Sequence, residues 1–262
     1  SEQDIEEERQ SGMPEDKIQQ EYFCSWDTAM EGSYYSSYLN TSENEGRVCK
    51  LPLDIRYQVN TAWDIGVGDS TSIWFFQELP NGNINIIDFY QHSGQGVEHY
   101  IKVLQDKKYI YGKHIAPWDI RKREFGTGKT MWDTAKSLGI TFTVLEKHSI
   151  ESGINMVRSI LGRCFFDQDK CLKGLNCLHS YKKIYDDINR CFKDTPLHDW
   201  ASDAADAFRY LAMGLKKQSN KNQPKYGSTY NIYCLGKHDE THHKDTGTYN
   251  IYQLGKYNQE ED

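Results

Sequence analysis

The 262 residues, 37% hydrophobic and 13% aromatic with 20 Gly and 6 Pro, suffice to bury the core of one large domain or two small ones, and they exclude collagenous and wholly disordered chains. The longest fully apolar run, residues 73–76, falls far short of the roughly 20 residues that cross a bilayer, and the acidic first residues form no basic-then-apolar signal segment, so a soluble intracellular chain without a membrane partner is expected. The net charge of −7 is uneven: residues 1–21 hold −6 of it, whereas residues 102–147 carry ten Lys and Arg against five acids, a strip that fits either a solvated face or a phosphate backbone.

Residues 1–20 are rich in Glu and Gln and fit an exposed helix or disorder. Residues 21–53 mix aromatics with Ser and Gly without a period, as an irregular segment laid against a neighbour would. Three strand-like runs follow, 59–65, 71–77 and 83–90, joined by Gly66-Val67-Gly68-Asp69 and Pro80-Asn81-Gly82-Asn83, which predicts a three-strand meander. Val97, Tyr100, Ile101 and Leu104 lie at helical spacing within 96–107; a buried strand over 110–116 and a basic loop through Gly128 come next. A helix over 130–138, a strand over 141–145, a helix over 150–161 that stops at Gly162, a short strand over 164–166 and helices over about 170–189 and 199–215 complete the body. A meander followed by alternating strands and helices describes an α/β chain with a mixed sheet flanked by helices, in the order of a ribonuclease-H-like core.

Three divisions are expected: 1–53, 54–217 and 218–262. The last is polar and repeats Tyr230-Asn-Ile-Tyr-Cys-Leu-Gly-Lys237 as Tyr249-Asn-Ile-Tyr-Gln-Leu-Gly-Lys256; two units are too few for a solenoid, so a tail with docking capacity is expected. The seven cysteines contain no CxxC pair and are expected reduced, and the spacing of Cys171, Cys177, His179 and Cys191 departs from that of structural zinc sites. His238 and His242 bracket Asp239 where a zinc-protease helix needs Glu. The six tryptophans fall within apolar runs and are expected in the core.

The chemistry is expected at carboxylates. Asp64 closes an apolar strand before a sharp turn, Asp119 follows the buried run 114–118, and Asp199, Asp203 and Asp206 recur at intervals of four and three on one helix face. Asp after a strand is often a turn former, and acids at a helix start complement its dipole. Several acids on one face nevertheless repel one another unless cations neutralise them, and hard oxygen ligands are what Mg²⁺ or Mn²⁺ require. His198 and Asp199 would either orient such a ligand or cap the last helix.

Four ordered blocks, QEYFCSWDTAMEGSYYSSYL, TAWDIGVGDSTSIWF, HIAPWDIRKREFGTGKT and HDWASDAADAFRYLAMGL, resemble the C-terminal nuclease domain of the large terminase subunits of tailed-phage DNA-packaging motors, over residues 22–215. The resemblance implies a ribonuclease-H-like fold and a metal-dependent endonuclease that cuts concatemeric double-stranded viral DNA by two-metal-ion hydrolysis. Asp64, Asp119 and Asp206 match the three carboxylates that hold the two Mg²⁺ or Mn²⁺ ions; Asp203 and Asp69 match accessory positions. Arg121, Lys122, Arg123 and Lys129 stand beside this site and are the expected DNA contacts. The implied partners are double-stranded DNA, the portal protein, the small terminase subunit and the ATPase domain of the same motor, in the host cytoplasm and transiently at the procapsid portal. Residues 1–53 would then be an acidic leader and linker remnant packing against that ATPase domain. No ATPase activity is expected from this chain itself, because the run ending in Gly128-Lys129-Thr130 has Arg123 where a Walker loop needs Gly. Another ribonuclease-H-like enzyme, such as a transposase or junction resolvase, and a non-catalytic module that grips DNA or the portal remain as alternative readings.

Overall fold

The computed structural model describes residues 32–66, 70–122, 128 and 130–215; the leader to residue 31 and the repeated tail lie outside the described residues. Three strands rich in aromatic and β-branched residues form the middle of the sheet: β2 (Val59–Asp64), β3 (Ser70–Glu78) and β4 (Ile84–Ser93). They pair antiparallel as the expected meander. The turn between β3 and β4 closes through the Leu79 N–H on the Asn83 carbonyl and passes through Gly82 at φ 87°, a left-handed conformation that glycine adopts without a Cβ penalty. β5 (Tyr111–Ala116) and β6 (Phe142–Val144) add parallel beside β2, and β7 (Cys164–Asp167) and β1 (Val48–Cys49) add parallel beside β4. The order is β1-β7-β4-β3-β2-β5-β6. This is the mixed sheet flanked by helices of a ribonuclease-H-like fold.

Alternation along the strands sends side chains to two faces. Ala62, Trp74, Phe76, Ile86 and Ile115 meet α1 (Ser36–Asn44), α4 (Ile150–Leu161), α5 (Leu172–Ser180) and α6 (Ser202–Gly214). Val59, Trp63, Ile73, Phe75 and Ile87 meet α2 (Val97–Lys107) and α3 (Met131–Ser137) on the other face. Cover on both faces explains why β3 is buried at every position but its ends. Caps fix where two of the helices start: Thr130 and Asp133 form a reciprocal capping box on α3, and the Ser149 hydroxyl accepts the Ser152 N–H on α4.

Two stretches differ from expectation. The supposedly irregular segment before residue 53 contains α1 and β1, tied to the body by Arg47, whose buried Nη1 donates to the Ser42 hydroxyl and to the carbonyls of Leu161 and Cys164. A single buried arginine leaves no periodic trace in the sequence. The helix expected over 170–189 ends at Ser180, and β8 (Lys183–Asp186) and β9 (Cys191–Pro196) make a separate antiparallel hairpin. Its turn is set by Asp186, whose carboxylate accepts the N–H groups of Ile188 and Asn189, and by Arg190 at φ 50°. Cys49 is disulfide-bonded, against the expectation of reduced cysteines, while Cys164, Cys171, Cys177 and Cys191 are free. No helix among the described residues is long and apolar enough to cross a membrane.

His114 sits buried on β5, with Thr61 bonded to its Nδ1 at 2.7 Å; the Thr61 hydroxyl also accepts from Trp63 Nε1 at 2.7 Å. Besides accepting from the indole, the Thr61 hydroxyl has one proton and one further lone pair, either of which serves Nδ1 of the imidazole. Burial lowers its pKa from 6.5 to about 4. Because the unfolded chain takes up this proton first, the stability contribution is complete above about pH 6.5 and is lost as the pH falls towards 4, by about 3 kcal/mol. Urea unfolding across this window is expected to show that extra loss in the wild type and not in His114→Asn; equal acid sensitivity of the two would refute the assignment.

Candidate active site

β2 and β5 run parallel with Ala62 beside Ile115, so both chains leave the sheet at the same edge. Asp64 is the last residue of β2, and Pro117, extended at ψ 162°, leads from β5 into a 3₁₀ turn, Trp118–Arg121, that carries Asp119. α6 lies across β2, β3 and β5. It is fastened by the Trp74 indole N–H on the Ala204 carbonyl at 2.8 Å, and Ala204, Ala205 and Ala207 are small enough to be wholly buried beneath it. Close approach of this helix places Asp203 and Asp206 over the edge that holds Asp64.

The electrostatics show this convergence. Burial pushes the Asp64 carboxyl well above the usual carboxylate range, and the charges of Asp206, Asp203 and, more weakly, Asp119 push it further, opposed by Arg209. No hydrogen bond or ion pair reaches the Asp64 carboxylate from the described residues. The other acids have partners. Asp203 Oδ2 accepts the Ser70 hydroxyl at 2.6 Å, and Ser70 in turn accepts from Gln91 Nε2. Asp206 Oδ1 receives both Nε and Nη2 of Arg209, at 3.1 and 2.6 Å, and its own carboxyl is raised, chiefly by burial. Asp119, half exposed, has the Lys122 ammonium 3.7 Å away.

Directly across from Asp64 in the antiparallel pairing stands Ser72, a wholly buried residue whose hydroxyl has no hydrogen-bond partner. An unpaired carboxylate beside an orphaned hydroxyl is a costly arrangement for a site of purely structural use. Oxygen donors without a thiol fit a hard divalent cation. As they stand, no three His, Cys, Asp or Glu side chains among the described residues are drawn close enough to hold an ion, and Arg209 occupies one oxygen of Asp206.

Asp64, Asp119, Asp203 and Asp206 thus come to one edge. Asp199 does not share the helix face assigned to it: α6 begins only at Ser202, and the Asp199 carboxylate accepts the Ala201 N–H in the turn before it. Arg121 and Lys122 are exposed beside Asp119; Asp69, Arg123 and Lys129 lie outside the described residues. The tryptophans divide. Trp63 and Trp74 are core residues as expected, but Trp118 and Trp200 are 41% and 60% exposed, because Pro117 turns the chain out of the sheet and Trp200 precedes α6. Four contributors went unread: Ser70, Ser72, Gln91 and Arg209. Only Arg209 had a sequence signal, its position three residues after Asp206.

No protein-family model and no curated protein matches the sequence. Among solved structures, the large terminase of the thermophilic bacteriophage D6E in complex with ADP superposes with a TM-score of 0.52 at 17% identity, over 67% of this chain and 44% of that one. The chain shares the fold of the matched part of that large terminase. It spans less than half the length of that terminase. The P22 large terminase nuclease domain (TM-score 0.48, 19% identity, 64% of this chain and 87% of that one) and the large terminase nuclease of the thermophilic phage G20c with bound magnesium (0.48, 15%, 70% and 97%) are also similar.

Proposed function

We propose that this terminase-fold chain is a metal-dependent endonuclease that cuts double-stranded viral DNA during genome packaging. The observation that carries the reading is the Asp64 carboxylate at a strand edge, unpaired among the described residues and flanked by three further acids and an orphaned hydroxyl. Asp64, Asp119 and Asp206 would hold two Mg²⁺ or Mn²⁺ ions, with Asp203 and Asp69 as accessory groups. When bound, such ions supply Lewis acidity and lower the pKa of a bound water, which is what phosphodiester hydrolysis needs. The chain's own part is to hold the carboxylates in place: the Trp74–Ala204 bond sets the height of α6 above the sheet, Ser70 fixes Asp203, and Arg209 leaves Oδ2 of Asp206 free for a ligand. Arg121, Lys122, Arg123 and Lys129 would attract the phosphate backbone without reading bases. A motor in which this domain works beside an ATPase domain, the portal protein and the small terminase subunit, on concatemeric DNA in the host cytoplasm, is the setting we infer.

Supercoiled plasmid incubated with the protein is expected to be nicked and linearised in Mn²⁺ or Mg²⁺ and left intact in EDTA. Cutting that survives EDTA would overturn the metal-dependent reading. One observation favours a second reading, a DNA- or portal-gripping module without catalysis: Arg209 already neutralises Asp206, and the described acids form no ready three-ligand set. Salt-sensitive DNA binding with no cleavage in either metal would support that module instead.

A further inference from the structure

Trp118 is a large aromatic residue left 41% exposed one position before Asp119. Two lysines converge on it. Lys122 Nζ lies 4.6 Å from the ring centroid and Lys147 Nζ 5.2 Å from it. They come from different places in the chain, Lys122 from the end of the 3₁₀ turn and Lys147 from the loop after β6. That loop is anchored at the same sheet edge as the acids: the Leu145 N–H donates to the Ala116 carbonyl at 2.9 Å, and the His148 ring meets the Tyr210 ring of α6 edge-on at 5.8 Å. Burial raises the Tyr210 phenol pKa, and the charges of Asp64, Asp206 and Asp119, in whose field it lies, raise it further.

Two ammonium groups repel, and the Trp118 ring attracts both. Lys122 has the Asp119 carboxylate within 4 Å, whereas Lys147 has no carboxylate partner among the described residues. An aromatic ring with two cations at 4.6 and 5.2 Å from its centroid, next to a cluster of acids, is suited to a polyanion whose charges recur along a line. It holds the lysines in place before the ligand arrives, which lowers the ordering cost of binding.

We propose that Trp118, Lys122 and Lys147 form the seat for the phosphate backbone of the DNA beside the acidic cluster, with Lys122 and Lys147 on successive phosphates and Trp118 as the positioning residue that spaces them. The seat rests on the nuclease reading, to which it adds Trp118 and Lys147. Binding of a labelled duplex to the otherwise full chain carrying Asp64→Asn, in EDTA and over a salt series, tests it. Lys122→Ala and Lys147→Ala are each expected to weaken binding about three- to tenfold and to reduce the log–log salt slope by about 1. Trp118→Ala removes no charge, yet it is expected to cause a comparable loss and to flatten the same slope. Trp118→Phe, which keeps a ring, should recover most of the affinity. Lys50→Ala, the same charge change beside β1 at the opposite edge of the sheet, should stay within about twofold of its parent. Melting temperatures of all variants show that they are folded. Wild-type affinity and slope in Trp118→Ala and Lys147→Ala, with plasmid cutting by the unaltered chain intact, would overturn the seat and leave the nuclease standing. Absence of both DNA binding and cutting in the unaltered chain would overturn the two together.

Discussion

Asp64→Asn is expected to lower metal-dependent plasmid cutting at least about a hundredfold and, in EDTA, to melt higher than the wild type. The two effects have one cause. Asp64 is desolvated by burial, has no donor among the described residues and faces the charges of Asp206, Asp203 and Asp119, so its folded pKa lies well above the ordinary carboxylate value. The sign is the reverse of a salt-bridged acid. A carboxyl whose pKa rises on folding costs stability at neutral pH, and the cost disappears as the pH falls below its folded pKa and the proton returns. Asn keeps the shape and removes the charge, with the Ser72 hydroxyl directly opposite as a partner for the amide. A gain of about 1 kcal/mol, or about 2–4 °C, is the expected scale. Wild-type cutting by the variant would remove Asp64 from the site, and a lower melting temperature in EDTA would refute the repulsion account.

The largest loss of stability is expected from Arg209→Met. The guanidinium is 4% exposed, is accommodated against Gly153 of α4, and places two donors on one oxygen of Asp206. Burial and Asp203 already raise the Asp206 carboxyl, and Arg209 is what holds it down. Removing the cation strands a carboxylate among like charges, which costs about 3 kcal/mol, at the low end for a broken buried pair because Asp206 retains some exposure. The expected fall in melting temperature is about 6–12 °C. Adding Asp206→Asn to Arg209→Met should restore much of it, since the uncompensated charge goes too. Strictly additive costs in that double-mutant cycle would show that the pair is not the source of the loss.

The parts of the fold legible in the sequence are those with a period. The meander, α2, β5 and α4 follow from apolar spacing and from glycine stops, and the acids of the site stand where strands end and a helix begins. What was missed has no period. Arg47 joins α1 to β7 through three hydrogen bonds from one nitrogen. The β8–β9 hairpin lies behind Leu175 and Leu178, whose spacing prolongs a helix on paper, until the Asp186 turn is weighed against it. Ser70, Ser72 and Gln91 become site residues only through cross-strand register, which places Ser72 opposite Asp64 and next to Gln91. Strand pairing is a property of two segments at once, so neither segment's sequence contains it.

The order in which the acids occur along the chain also bears on synthesis. A nascent chain that has emerged only as far as β9 contains Asp64 and Asp119 but neither Asp203 nor Asp206. Domains fold as units as the ribosome delivers them, N-terminal parts first, and α6, the last of the described elements, is the piece that covers the sheet edge and completes the cluster. On the proposed reading, a polypeptide cut short before α6 lacks two of the four acids, and the capacity to cut DNA would arise only once that helix has been delivered.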